Sequence, residues 1–233
     1  MNDFHSGKLR KAVTFSYDDG VVQDIRMIEL MNKYGLKGTF NLNSQLLGSG
    51  GMLKGADYRL CHYKIRPEDV RELYQGHEIA AHTLTHPNLT TLPDDEVIRQ
   101  VEQDRLRLSE LAGYEVVGMA YPYGRADDRV AGLLKEHTGV LYSRTVDHNN
   151  SFDRQADLYR FDPTSYHHDY RSMTELAHRF IEMKPDKPQI FYIWGHSYEQ
   201  DCDSLHWSHL EEFFKLISGH EDIFYGTNKD ILL

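Results

Sequence analysis

The chain has 233 residues, 40% hydrophobic and 27% charged, a balance that supports a full core and excludes wholesale disorder. Its 26 Lys+Arg stand against 36 Asp+Glu, and the net charge of −10 repels phosphate backbones, so nucleic acid is not an expected partner. No apolar run reaches the ~18 residues of a membrane span, so no membrane partner is expected. Cys61 and Cys202 stand far apart in no CxxC pattern and read as two free thiols of a reducing compartment. The first residues show no basic segment followed by an apolar stretch. The expectation is therefore no signal peptide and a cytoplasmic location.

Short apolar runs alternate with amphipathic stretches, as in α/β folds. Residues 12–15 read as a strand, and Asp24 as the cap of a helix to Lys33 with Ile25, Ile28 and Met31 on one face. Gly35 ends that helix, and 38–42 is the second strand. Residues 43–65, rich in Gly and polar groups, read as an insertion in the form of a hairpin. Pro67 opens a short helix to Gln75, and 78–81 is the third strand. The longest helix runs from Pro93 to Leu111, with Val97, Val101, Leu108 and Leu111 recurring at helical spacing. Strands follow at 116–120 and 140–143 around a helix at 127–137. Residues 147–170 carry no decisive pattern. A helix at 174–183, a strand at 190–194, a helix at 205–218 and a strand at 223–225 complete the chain. With no linker or repeat, residues 1–233 form one domain. About seven strands alternating with helices predict a parallel barrel; the rival, a doubly wound open sheet, lacks a GxGxxG.

In such a barrel the loops after the strands gather at one face, where reactive groups sit. Four polar clusters fall at those positions: Ser16-Tyr17-Asp18-Asp19-Gly20, His82-Thr83-Leu84-Thr85-His86, Tyr121-Pro122-Tyr123-Gly124 and Gly195-His196-Ser197-Tyr198-Glu199. Alone, Asp-Asp-Gly is a turn and a single histidine a hydrogen-bonded strand end. Their equivalent placement carries the argument. His82 and His86, four apart, share a face of one helical turn and can meet one ion. Asp19 or Asp18 can be the third ligand, and two histidines with one carboxylate suit zinc or another first-row divalent ion. The second aspartate is then free as a base, and His196, on the opposite rim, can act as the acid. The 14 histidines outnumber the 10 phenylalanines, and these positions account for the chemically placed ones.

In this order the motifs resemble the polysaccharide deacetylase family, carbohydrate esterase family 4, over about residues 11–226. The resemblance implies a distorted (β/α)7 barrel and metal-dependent removal of acyl groups, usually acetyl, from amino sugars or esterified sugars. It implies Asp18 as the base, Asp19, His82 and His86 as metal ligands, and His196 as the acid. It also implies that the Tyr123 backbone N–H helps stabilise the oxyanion. The chain departs from the family at three places. Ala120 stands where the third motif carries an arginine that orients the base, and Arg144 is the expected replacement, with Arg125 a weaker one. The fourth motif has no clean match, which leaves Asp147, Asp162 and Glu199 as candidates to tune His196. Gly195 replaces a leucine, so the acyl pocket is expected to be wider or built from Trp194.

Three functions follow: a metal-dependent deacylase of a carbohydrate, an amidohydrolase of a small non-sugar amide, and a non-catalytic carbohydrate binder on the same scaffold. The expectation of no leader would favour small or intracellular substrates. The 15 tyrosines could stack on sugar rings, yet a binder has no need of Asp18, Asp19, His82, His86 and His196 together.

Overall fold

A computed structural model of the chain describes residue 4 and residues 9–54, 59–203 and 205–233. The segment inspected for a leader lies almost wholly outside the described residues, as does the tip of the expected insertion at 55–58. The elements in order are β1 (Lys11–Asp18), α1 (Asp24–Lys33), β2 (Gly38–Leu42), β3 (Gly50–Lys54), β4 (Arg59–Tyr63), α2 (Val70–Leu73), β5 (Glu78–Ala81) and α3 (Asp94–Ala112). They continue with β6 (Gly118–Ala120), α4 (Asp128–His137), β7 (Tyr142–Arg144), β8 (Ser165–Tyr166), α5 (Tyr170–Glu182), β9 (Gln189–Gly195), α6 (His206–Ile217), β10 (Ile223–Tyr225) and α7 (Asn228–Leu232).

Parallel pairing runs β7-β6-β5-β2-β1-β9-β8. Phe161 bridges in parallel to Arg144, and Thr164 N donates to Tyr192 O at 2.8 Å, so the segment entering β8 spans the gap between β7 and β9. Seven parallel strands thus curl into a distorted barrel, the expected class. All eight residues of β1 are buried, as befits a strand covered on both faces. Phe15 of β1 meets Phe214 of α6 edge-on at 5.1 Å, and Met27, Ile28 and Met31 bury the inner face of α1. Each such side chain contributes roughly 1.5–3 kcal/mol when fully buried. Asp94, Asp95 and Glu96 stand in the first turn of α3, favourable against its dipole, and Gly113 ends it at φ 81°, where a side chain would be strained.

Several expectations change. The seventh barrel strand is β8, within the stretch that had no decisive pattern. β10 instead pairs with β1 at 11–13, sharing that edge with β2, which pairs at 15–18. Val116 and Val117 precede β6 rather than forming it, and Leu141 is exposed ahead of β7. Asp24 does not cap α1. Its carboxylate is buried and accepts from Tyr74 Oη at 2.7 Å and from Ser197 Oγ, and Gln23 occupies the cap position. The insertion is an antiparallel hairpin, β3–β4, tied back to the barrel by the Val21–Lys64 bridge.

Candidate active site

Each candidate residue ends a barrel strand or follows its C-terminal end. Asp18 ends β1, and the chain then turns through Asp19 at φ 85°. The Arg144 guanidinium, wholly buried at the end of β7, reaches both Asp18 oxygens from Nη2 at 2.5 Å. Arg144 and Ala120 are Cα partners across β6 and β7, so the guanidinium enters from the position beside the missing arginine. Its Nη1 donates to Thr145 O at 2.7 Å, its Nε to Ser16 Oγ at 3.2 Å, and the Trp194 ring lies 4.9 Å away. Asn41 Nδ2 adds a third hydrogen bond to Asp18 at 2.9 Å. Burial alone would raise the Asp18 carboxyl, but Arg144, with His82 and His196, holds it below the ordinary value.

His82 and His86 converge, though not on a helical turn. Residues 82–86 form a loop in which Thr83 and His86 have φ of 67° and 61°. Asn43 Nδ2 donates to the carbonyls of His82 and Thr83, and Thr83 Oγ1 accepts the His86 N–H at 3.1 Å, so the groups a helix needs are already engaged. The two rings stand 4.7 Å apart. His82 Nδ1 lies 2.8 Å from Ala120 O and donates to it, which leaves Nε2 as the lone-pair nitrogen facing the site. Burial pushes the His82 ring down to about 4, so it is neutral at pH 7, as a ligand must be. One donor atom each from Asp19, His82 and His86 lies within 4.8 Å of the others.

His196 faces them across a cleft of about 270 Å³ lined also by Tyr121, Tyr123, Val146, Trp194 and Tyr198. Its Nδ1 lies 3.2 Å from Glu199 Oε2, within ion-pair range but without hydrogen-bond geometry, and its backbone N–H donates to the same oxygen at 3.1 Å. Burial disfavours the charged ring, but Glu199, with Asp18 and Asp19 beyond it, outweighs burial and pushes it up to about 9. Of the three carboxylates considered for this place, Asp147 is exposed and Asp162 accepts from Thr145 Oγ1. Tyr123 is at φ 59° with its ring exposed and 4.7 Å from that of His86. Arg125 is exposed and takes no part. Gly195 does not widen the cleft. A Cβ there would fall 2.2 Å from His167 Cδ2, so the His167 ring already fills the space.

Three participants escaped the sequence reading. Lys64 Nζ donates to Asp19 Oδ1 at 3.0 Å and to Asp19 O at 2.7 Å, and His62 Nε2 lies 3.3 Å from Asp19 Oδ2. Burial would raise Asp19, yet His62 and Lys64 hold it well below the usual carboxylate range. Both come from the hairpin, whose return onto β1 no local pattern discloses. Asn41, a polar residue inside a buried strand, was the readable signal. A larger groove, about 490 Å³, lies between α5 and α6 and contains none of these groups.

Residues 5–142 match the family described as polysaccharide deacetylase. A 127-residue stretch is 26% identical to peptidoglycan-N-acetylglucosamine deacetylase PgdA of Listeria monocytogenes, covering 53% of this chain and 24% of that protein. The chain thus corresponds to about a quarter of that relative's length. Among solved structures, a family 4 carbohydrate esterase from Streptomyces lividans in complex with acetate superposes with a TM-score of 0.58, at 13% identity, over 94% of this chain and 93% of that one. A CE4 family pseudoenzyme from Bacillus anthracis superposes with a TM-score of 0.55, at 17% identity, over 96% and 66%. At these identities the two structures speak for the fold alone.

Proposed function

Because the chain belongs to the polysaccharide deacetylase family, we propose that it is a metal-dependent hydrolase removing acyl groups, above all acetyl, from an amino sugar or other acetylated carbohydrate. The observation that carries this reading is one cleft in which Arg144-held Asp18, the donors of Asp19, His82 and His86, and His196 face one another. Two imidazoles and a carboxylate, with His82 already committed to the right tautomer, fit zinc or a similar first-row ion with positions left open. Asp19, His82 and His86 would hold it. When bound, such an ion supplies Lewis acidity toward the acyl carbonyl and the attacking water.

The chain's own residues do the proton work. Asp18, kept ionised by Arg144, accepts the proton that water releases as it adds to the carbonyl carbon. The Tyr123 N–H stabilises the negative charge that develops on the carbonyl oxygen. His196, protonated through its pairing with Glu199, gives a proton to the sugar nitrogen as the C–N bond breaks, and acetate and the free amine leave. A cytoplasmic location belongs to the same proposal, in keeping with the two unpaired cysteines.

The test measures metal content and hydrolysis together, on N-acetylglucosamine oligomers, small N-acetyl amides and a chromogenic acetate ester. The expected result is one ion at this site and turnover of the oligomers, both lost in His82→Ala. Turnover confined to the small amides would make the protein an amidohydrolase. Full metal occupancy with no turnover would make it a binder, and a metal content equal to the wild type's in both His82→Ala and His86→Ala would overturn the ligand assignment.

A further inference from the structure

Behind His196 a second set of donors converges. His167 and His168 follow β8, Glu199 lies in the turn after β9, and one donor atom of each lies within 4.8 Å of the others. This set shares no residue with Asp19, His82 and His86. His167, fully buried, places Nε2 2.8 Å from Glu199 Oε2. The ring of His168 lies nearly parallel to that of His167 at 4.5 Å, so one of the two must turn for both to face one ion, and the His168 Nε2 is buried with no hydrogen-bond partner among the described residues. Buried polar atoms are nearly always partnered, so this nitrogen is a donor set in place for something. A further imidazole, His206, lies 4.6 Å from the His168 ring.

We propose that His167, His168 and Glu199 form a second divalent metal site, suited to zinc or a similar first-row ion, whose occupation draws Glu199 away from His196. The surroundings support both proton states this requires. Gln200 Nε2 donates to His167 Nδ1 at 3.0 Å, and Gln200 Oε1 accepts from Tyr170 Oη at 2.6 Å. Turning the amide over puts Oε1 on a protonated Nδ1 and Nε2 on the Tyr170 oxygen, while Tyr170 Oη retains His206 O at 3.3 Å as acceptor. The Nε2 lone pair of His167 is then free for an ion. Tyr166 Oη donates to Glu199 Oε1 at 2.6 Å and fixes the carboxylate from behind, as outer-shell partners of metal ligands do.

The same Glu199 oxygen faces His196 Nδ1 and accepts the His196 N–H. A divalent ion competes for that oxygen and loosens the acid from its partner. The site itself does not depend on the proposed function. The effect on turnover does, because it assumes that His196 is the acid.

Zinc is titrated into the metal-stripped full chain by equilibrium dialysis, with Co2+ absorption as a second readout. Two ions are expected per wild-type chain and one each in His168→Ala and His82→Ala. His168→Gln, of similar bulk, repeats the measurement if the alanine variant unfolds. One ion per wild-type chain, or two in both His168 variants, overturns the site. Zinc beyond one equivalent should slow wild-type turnover by about tenfold, below the ~10²–10⁴ a general acid contributes, and should not slow His168→Ala in this way. Occupation of the second site without slowing overturns the coupling. A wild-type chain that binds two ions and turns over nothing sinks the proposed function and leaves the second site standing.

Discussion

Arg144 and Asp18 form the most constrained contact of the cleft. Both are buried, and breaking a buried pair by removing one partner typically costs ~3–5 kcal/mol, so Arg144→Ala confounds folding with catalysis. Arg144→Lys keeps the charge and loses the planar fork. We expect it to bind metal normally, to lose roughly 10²-fold in kcat, and to move the acid limb of the kcat/KM profile upward, because the partner holding the Asp18 carboxyl down is weakened. An unmoved acid limb would separate Arg144 from the base. His196→Ala should keep its metal and fold and lose ~10²–10⁴ on amides, while an ester with a good leaving group retains more activity. Rates on both substrates together with metal content decide it. Lost metal would make His196 a ligand, and unchanged amide turnover would make it structural.

At the scale of elements, the site depends on how strand ends and loops lean on one another. β9 ends at Gly195 with the His167 ring against its Cα, so the loop after β8 and the turn after β9 are packed as one piece. Gly195→Ala places a methyl carbon 2.2 Å from that ring, and the ring, fully buried, has little room to yield. Overpacking of this kind costs typically ~1–3 kcal/mol. Urea unfolding should show a loss in that range, and an unchanged midpoint would mean that the loop shifts freely. The hairpin plays a comparable part on the other rim, where Lys64 and His62 hold Asp19 in its left-handed turn. Local spacing showed that His82 and His86 are close, but it suggested the wrong geometry. The helical turn was displaced by side-chain hydrogen bonds from Asn43, the residue that follows β2.

Across the whole molecule, the barrel gathers charged groups into an interior that water reaches poorly, and this has a measurable effect on stability. Asp24, the first residue of α1 and buried against the turn after β9, is pushed by burial up to about 7, against the hydrogen bonds from Ser197 and Tyr74 that favour its charge. The folded chain therefore holds a proton that the unfolded chain has released. Stability from this source is complete below about pH 4 and is lost as pH rises to about 7, at up to ~1.4 kcal/mol per pH unit. Asp24→Asn removes this dependence. Its unfolding free energy should fall less than that of the wild type between pH 4 and 7, and above pH 7 the variant should be the more stable of the two. Denaturant titrations at pH 5 and 8 compare the slopes; parallel curves would place the Asp24 proton elsewhere.

The alternation of strands and helices and the placing of polar clusters at strand ends were legible in the sequence, because they rest on periodicity, and the family's missing arginine at Ala120 pointed to Arg144 on the neighbouring strand. The family was legible from its motifs in the same way. Other features were not. β8 is two residues long and paired on β9, too short for a period to register. The displacement of β10 depends on how β2 and β10 divide one edge of β1, a matter of sheet closure. Glu199 was one of three carboxylates on equal footing until the turn after β9 folded it back onto His196. The cluster of His167, His168 and Glu199 joins residues more than thirty positions apart, and only the packing of two consecutive strand ends brings them together. Local patterns specify the elements, whereas contacts between distant segments arise from burying those elements against one another, and only the tertiary structure decides them.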